Sequence, residues 1–593
     1  MFALWHIVTT IITLTLVTME IITSVSASSS CPYYCDCERR KKSVSCLHSV
    51  YDDVPDQLPF DLKSLHLEFQ NLTILDQLSD RPLTNLRHLT LPRNNIRLVL
   101  EDALSKAPYL KTLDLSHNDL DCLPRAISKQ TKLKELYLSN NEIGLLDSEL
   151  FVNLTQLQAL DLSGNQLMFL PENLFTPLRY LQTLDLSNNS LIFLTKDIFG
   201  DLYRLEELRL SNNKIRDVTH GWLSGMPNLW VLEMNFALHQ TRSTSVHQER
   251  LISNPSGLIM TNIENLSLAG NGITFIPCHH LAKMPALMHV NFSHNVIQRV
   301  EKNCFKAMSA LENLDFSSNH IVDLEDGAFH NLTSLQQINL SRNMLHYLPP
   351  GLLRETGVTD FDVSFNRIMY IKNNTYNHAQ TLENLHLQHN RIRSIASHAF
   401  RTTYSLTYVN LQRNVLVTIK DQFSNLTTLT ALLLKHNLIR HIADNALEGT
   451  SLETLLLDHN HLTTLDESII MYNRNMMRVS LHSNPWNCDC RVRWIKHALD
   501  DSAGSYPWSY ELDVHLLQCA APPKYANRTI FYDVPSVQNM MCTTYASRLA
   551  IQLIVSISFA IIITSTVMYV LKLYCKIKKL EKTTGADTSK CLS

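Results

Sequence analysis

The chain has 593 residues, of which 45% are hydrophobic and 18% charged, with 14 glycines, 20 prolines and 13 cysteines. A formal charge of −3 gives no general attraction to nucleic acid or anionic surfaces, so no nucleic-acid partner is expected. The length admits several ordinary domains, but the abundance of leucine points to one long repetitive body.

The first segment, FALWHIVTTIITLTLV from Phe2, is apolar and runs into SVSASSS, where Val25 and Ala27 suit a signal-peptidase site. Residues 1–27 read as a secretory signal. A cysteine cluster follows, CPYYCDCERRKKSVSC, with the spacing C-x(3)-C-x-C-x(8)-C over Cys31, Cys35, Cys37 and Cys46. In a secreted chain such a cluster is a disulfide unit rather than a metal site. Residues 28–58 form this N-terminal unit.

Residues 59–484 repeat. Asparagine recurs at 94, 118, 141, 165, 189 and 213, then at 271, 295, 319, 343, 366, 390, 414, 437, 460 and 484, in steps of 23 or 24 within each series. LKTLDLSHN (110–118), LQALDLSGN (157–165), LENLDFSSN (311–319) and LETLLLDHN (452–460) all fit L-x-x-L-x-L-x-x-N, the leucine-rich-repeat signature. Two further copies end on Gln70 and Ala237, giving 18 in all. In each copy L-x-L is a short strand whose leucines point inward, and only a stack of copies buries them. The predicted fold is an α/β-type solenoid with a curved parallel sheet, a horseshoe whose strand-to-strand path is roughly 80–90 Å. Phe151, Phe175, Phe199, Phe329, Phe400 and Phe423 recur downstream of the strands and are expected to fill the convex side. The step from Ala237 to Asn271 is longer, with a polar insertion near 238–262 that is either a binding loop or decoration. Cys278 and Cys304, in the next two copies, are near enough in register to pair, and Cys122 is expected to be a buried thiol.

The stack stops at Asn484, where NPWNCDCRVRW begins. With Cys519 and Cys542 it gives C-x-C-x(28)-C-x(22)-C, and residues 485–546 form a C-terminal unit. Solenoids need polar end caps because their terminal leucines and strand edges would otherwise meet water. Spacing alone leaves three pairings in each unit. Both units resemble the cysteine-rich caps of the extracellular leucine-rich-repeat family, of the kind found in Slit, the Nogo receptor and Toll-like ectodomains. That resemblance implies Cys31 with Cys37, Cys35 with Cys46, Cys488 with Cys519 and Cys490 with Cys542. It also implies that each repeat asparagine bonds backbone groups of neighbouring turns. It does not imply a ligand, since the same scaffold serves many roles.

Residues 549–571 carry no charge and are long enough to span a membrane at about 1.5 Å per residue. Lys572, Lys576, Lys578 and Lys579 follow them while only Arg548 closely precedes, which places residues 572–593 in the cytosol and the repeats outside. The expected location is the plasma membrane, as a single-pass type I protein. The tail, with 22 residues, lies below the limit of about 40 residues for a folded domain, so no signalling domain is expected there, a departure from Toll-like receptors. Cys575 at the membrane face is a candidate palmitoylation site.

Ten N-x-[ST] sequons begin at Asn71, Asn153, Asn188, Asn265, Asn291, Asn331, Asn339, Asn373, Asn425 and Asn527. Asn291 and Asn339 hold the outward mid-strand position and Asn265 lies near it, so glycans there would cover the middle of the concave sheet. The mid-strand row is otherwise polar and acidic until Leu433 and Leu456, which are expected to stand exposed near the C-terminal end. His386, Tyr408 and Arg413 lie beside them by register, with His389, His436 and His459 nearby. Apolar, aromatic and Arg groups massed on a polar surface are the usual core of an interface. The candidate ligand-binding set is therefore His386, Tyr408, Arg413, Leu433 and Leu456.

No H-E-x-x-H, G-x-S-x-G or P-loop is present, and neither an enzyme, a metal ion nor a cofactor is expected. The expected function is recognition of an extracellular or cell-surface protein, as an adhesion molecule or ligand-binding co-receptor, with a signalling co-receptor or a second copy of the chain as further candidate partners. The alternative is an innate-immune pattern-recognition co-receptor without its own signalling domain.

Overall fold

The computed structural model describes residues 31–47, 51–238 except 196, 219–221 and 224, 262–500 except 472 and 474, 514–534 except 531, and 545–582. The expected secretory signal at 1–27, most of the 238–262 insertion, Cys542 and residues 583–593 lie outside that set.

Among the described residues the main sheet has 20 strands. Two belong to the N-terminal cap and the others are the repeat strands, one for each predicted copy. Most repeat strands are three residues long with a buried centre and half-buried flanks, as in Ala159–Asp161, Thr183–Asp185 and Glu207–Arg209. All repeat strands pair in parallel and in equivalent register, Leu160 against Leu184 against Leu208, so like residues stack on like. The ladder runs unbroken past the insertion, with Val231–Glu233 paired directly to Asn265–Ser267.

The asparagines hold the turns leaving these strands. Asn118 Nδ2 donates to the carbonyls of Leu91 and Leu115, both at 3.0 Å, and to that of Ser116 at 3.1 Å, while its Oδ1 accepts from Ile96 N at 3.0 Å. One buried amide thus ties the preceding rung to the turn of its own, the kind of pairing that buried backbone groups demand. Gln70 does similar work at the first rung, donating to Cys46 O at 3.1 Å and Glu68 O at 2.9 Å. The residue before each asparagine has positive φ, among them Arg93, His117, Asn140, Gly164, Phe365, Arg413 and His436. Asn and His tolerate that region better than most side chains, which accounts for much of the histidine in this row.

The convex side is a column of rings. Phe151 stacks on Phe175 at 6.3 Å between centroids, Phe175 on Phe199 at 6.0 Å, and Phe199 meets Trp222 at 6.1 Å. Tyr376, Phe400 and Phe423 continue it at 5.6 Å spacing. Phe329 joins through Phe305, and all of these rings are buried.

Both ends are sealed. Cys35–Glu38 and Ser43–Leu47 form an antiparallel hairpin whose second strand runs parallel to Ser64–Glu68, and disulfides join Cys31 to Cys37 and Cys35 to Cys46. At the other end Trp486 and Trp494 are buried, their indole N–H groups donating to Leu481 O at 3.1 Å and Leu465 O at 2.8 Å. The helix Arg493–Asp500 lies there, and Cys488 is bonded to Cys519. Cys490 is disulfide-bonded as well, and its expected partner Cys542 is outside the described residues. A further disulfide joins Cys278 to Cys304 across consecutive rungs.

Cys122 corrects an expectation. It is exposed, because it shares a row with Leu98, Leu145, Phe169 and Phe193, four residues beyond the repeat asparagine, and that row faces outward. The last described element is the helix Tyr545–Lys582, in which Gln552–Lys578 is long and apolar enough to cross a membrane. It overlaps the expected span 549–571, with Cys575 half-buried near its end.

Candidate functional site

The strands Asn384–His386, Tyr408–Asn410, Ala431–Leu433, Thr454–Leu456 and Arg478–Ser480 are consecutive rungs. Their register aligns His386, Asn410, Leu433, Leu456 and Ser480 in one row across the C-terminal part of the concave face. Tyr408 leans along this row, its ring 5.2 Å from that of His386 and its hydroxyl accepting from Asn410 Nδ2 at 3.2 Å. His386, Tyr408, Leu433 and Leu456 therefore come together on the sheet. Arg413 does not join the row: it is exposed on the edge of the face, between His389 and His436.

The two leucines do not stand clear of the surface as expected, since Leu433 is only 9% and Leu456 8% exposed. Rungs lie about 4.8 Å apart, so side chains on the flanking strands and rows shield a leucine of that length. They form an apolar floor, and the groups that reach solvent are His386, Tyr408 and the edge residues.

Charge at the site is set locally. The Asp360 carboxylate, 3.8 Å from His386 Nε2, raises the His386 pKa against partial burial, which lowers it. Burial raises the Tyr408 phenol above its ordinary value. Along the edge, Arg342 lies over the Phe365 ring at 4.6 Å and Phe365 stacks on His389 at 4.1 Å. Burial, then Arg413 and Arg342, lower the His389 pKa. Phe365 and Arg342 are absent from the candidate set, although both occupy the place before the asparagine and that register would have found them.

The acidic character of the remaining row has a structural component. Asp114, Asp161, Asp185, Asp315 and Asp362 each accept, through Oδ1, from the backbone N–H two residues on, at 2.7–2.9 Å. These short loops brace the strand exits, and Asn291 and Asn339 do the same. Those two sequon asparagines and Asn265 are half-buried on the concave sheet, whereas Asn71, Asn153, Asn188, Asn331, Asn373, Asn425 and Asn527 are exposed.

Residues 61–120, 124–167, 179–236, 261–321, 309–368 and 380–439, together more than half of the chain, match the family "Leucine rich repeat". Among curated relatives, leucine-rich repeat-containing protein 3 of Danio rerio is 34% identical over 101 residues, 16% of this chain and 38% of that protein. Trophoblast glycoprotein of Macaca fascicularis is 32% identical over 93 residues, 15% of this chain and 22% of that protein. The matches thus span well under half the length of these relatives. In fold, the glycosylated Toll–Spatzle complex of Drosophila is similar with a TM-score of 0.61 at 18% identity, covering 84% of this chain and 72% of that one. A plant peptide hormone receptor, RGFR1 in complex with RGF2, gives 0.50 at 21%, covering 76% and 81%.

Proposed function

Because the chain belongs to the leucine-rich-repeat family, we propose that it is a single-pass cell-surface protein whose C-terminal concave face recognises another protein, as an adhesion molecule or ligand-binding co-receptor. The observation that carries this reading is the group His386, Tyr408, Leu433 and Leu456, an apolar floor under aromatic and imidazole groups with Arg413 at its edge. Large amphipathic rings over a dry base are what interface hot spots are made of. The face is also long and open, which suits a macromolecule better than a metabolite. The apolar helix after the C-terminal cap supports a membrane anchor, and disulfides at both ends support an extracellular location. The described fold neighbours of Toll and RGFR1 type are bound to a protein and a peptide hormone in their own structures. The exposed sequons are candidate glycosylation sites, and a face free of them at His386–Leu456 stays open to a partner.

The test is a cell-mixing assay with the full chain displayed on one population. Adhesion or co-receptor function predicts clustering with itself or with a second cell type, reduced at least about tenfold by Tyr408→Ala with Arg413→Ala, since hot-spot truncations each cost about 2 kcal/mol or more. Clustering untouched by that double variant contradicts the assigned face. Binding to microbial cell-wall polymers, without cell clustering, supports the pattern-recognition reading instead.

A further inference from the structure

Serine holds most places two residues before the repeat asparagine. Among the copies that keep that asparagine, Asp458 is the only acid in this row, and the next rung carries His482. His436 and His459 hold the neighbouring row on consecutive rungs, with φ of 54° and 53°. Their rings stack at 4.2 Å, and His459 meets His482 edge-on at 5.3 Å. The ligating atoms of His436, Asp458 and His459 all lie within 4.8 Å of one another. His482 Nε2 is 3.9 Å from Asp458 Oδ2, and its Nδ1 lies 3.1 Å from the Ser483 hydroxyl, which turns Nε2 toward the cluster. Asp458 is 6% exposed, and the Ser480 hydroxyl donates to its Oδ1, leaving Oδ2 aimed at the imidazoles.

We propose that His436, Asp458, His459 and His482 bind one transition-metal ion of the Zn²⁺ or Cu²⁺ class, riveting the last three rungs of the solenoid beside the C-terminal cap. A buried carboxylate aimed at imidazoles is costly without a cation or proton to face. Three nitrogens and one oxygen make a tetrahedral set suited to Zn²⁺, whereas Ca²⁺ and Mg²⁺ require oxygen ligands that are missing here. Ligand bonds of about 2.0–2.2 Å require these atoms to close in and the stacked pair to open, a rotation that exposed His459 and half-buried His436 are placed to make. Arg413 and Lys435 stand close to His436 and oppose any cation. That opposition is what restricts the site to ions with strong imidazole bonds. Ring stacking alone does not define such a site: Phe365 and His389 stack as closely, yet Gln388 fills the place that Asp458 holds here.

The experiment is calorimetric titration of Zn²⁺ into the full chain in detergent after stripping with a chelator. One ion per chain is expected, with affinity at least about tenfold weaker in His436→Ala/His459→Ala, since losing even an outer partner of a ligand costs about 10–100-fold. His117→Ala, at the equivalent place on a distant rung, and His279→Ala/His280→Ala should leave it unchanged. Asp458→Asn should weaken binding to a similar degree, and should that variant fail to fold, His482→Gln provides the same reading with a similar loss. Absence of saturable Zn²⁺ binding, or binding indifferent to the His436→Ala/His459→Ala pair, overturns the site. Neither result depends on a protein partner, so the metal site and the recognition face stand or fall separately.

Discussion

Phe175→Ala should cost about 3–5 kcal/mol of unfolding free energy. The ring is fully buried between Phe151 at 6.3 Å and Phe199 at 6.0 Å, so truncation opens a cavity and removes two ring contacts at once. In a solenoid each rung is stabilised by its neighbours, and a weak rung uncouples the blocks on either side. Denaturant unfolding followed by tryptophan fluorescence should therefore show a lower first midpoint and a split or broadened transition. Phe169→Ala is the control: that ring is 51% exposed, and its loss should stay within about 0.5 kcal/mol. A Phe175→Ala protein as stable as the control would mean that the convex column contributes little.

Asn319→Asp should be as damaging although it barely changes shape. Asn319 Nδ2 donates to the carbonyls of Phe292, Phe316 and Ser317 at 2.8, 3.1 and 3.3 Å, and Oδ1 accepts from Ile297 N at 3.0 Å. An ionised carboxylate keeps the acceptor but turns a second anionic oxygen on three carbonyls in a buried place, at a cost of about 3 kcal/mol or more. Desolvation and those carbonyls raise the aspartic acid's pKa in the fold above its unfolded value of about 3.9. The folded variant therefore binds more protons than the unfolded one. Its penalty relative to wild type is smallest below that unfolded pKa, where the neutral acid donates one bond, and grows with pH until the folded pKa is passed. Unfolding midpoints for both proteins between pH 4 and 8 check the sign; a gap that shrinks as pH rises contradicts it.

These two positions show why the fold was legible in the sequence. Leucine and asparagine recur because each rung must bury the same side chains and satisfy the same carbonyls, so a period of 23 or 24 encodes both strand and turn. The repeat strands sit where the L-x-L segments place them, and Gln70 substitutes for asparagine with a similar amide. The candidate recognition surface was less legible because it depends on relations between rungs. Leu433 and Leu456 look exposed when one strand is considered, and only the packing of adjacent rungs shows them as a floor. The mid-strand aspartates look like a charged surface but spend an oxygen each on bracing the backbone. Cys122 looks like core until it is aligned with Leu98 and Leu145, which are exposed in the same row. Asp458 and His482 escape notice because their partners lie a full repeat away in the chain.

Site-directed photocrosslinking on living cells tests the recognition face most directly, with a benzophenone amino acid placed at position 408 or, on the distant N-terminal part of the same concave sheet, at position 137. The account predicts a discrete protein adduct from Tyr408 and none from Tyr137. Equal adducts at both positions, or an adduct at Tyr137 alone, would place recognition elsewhere on the horseshoe.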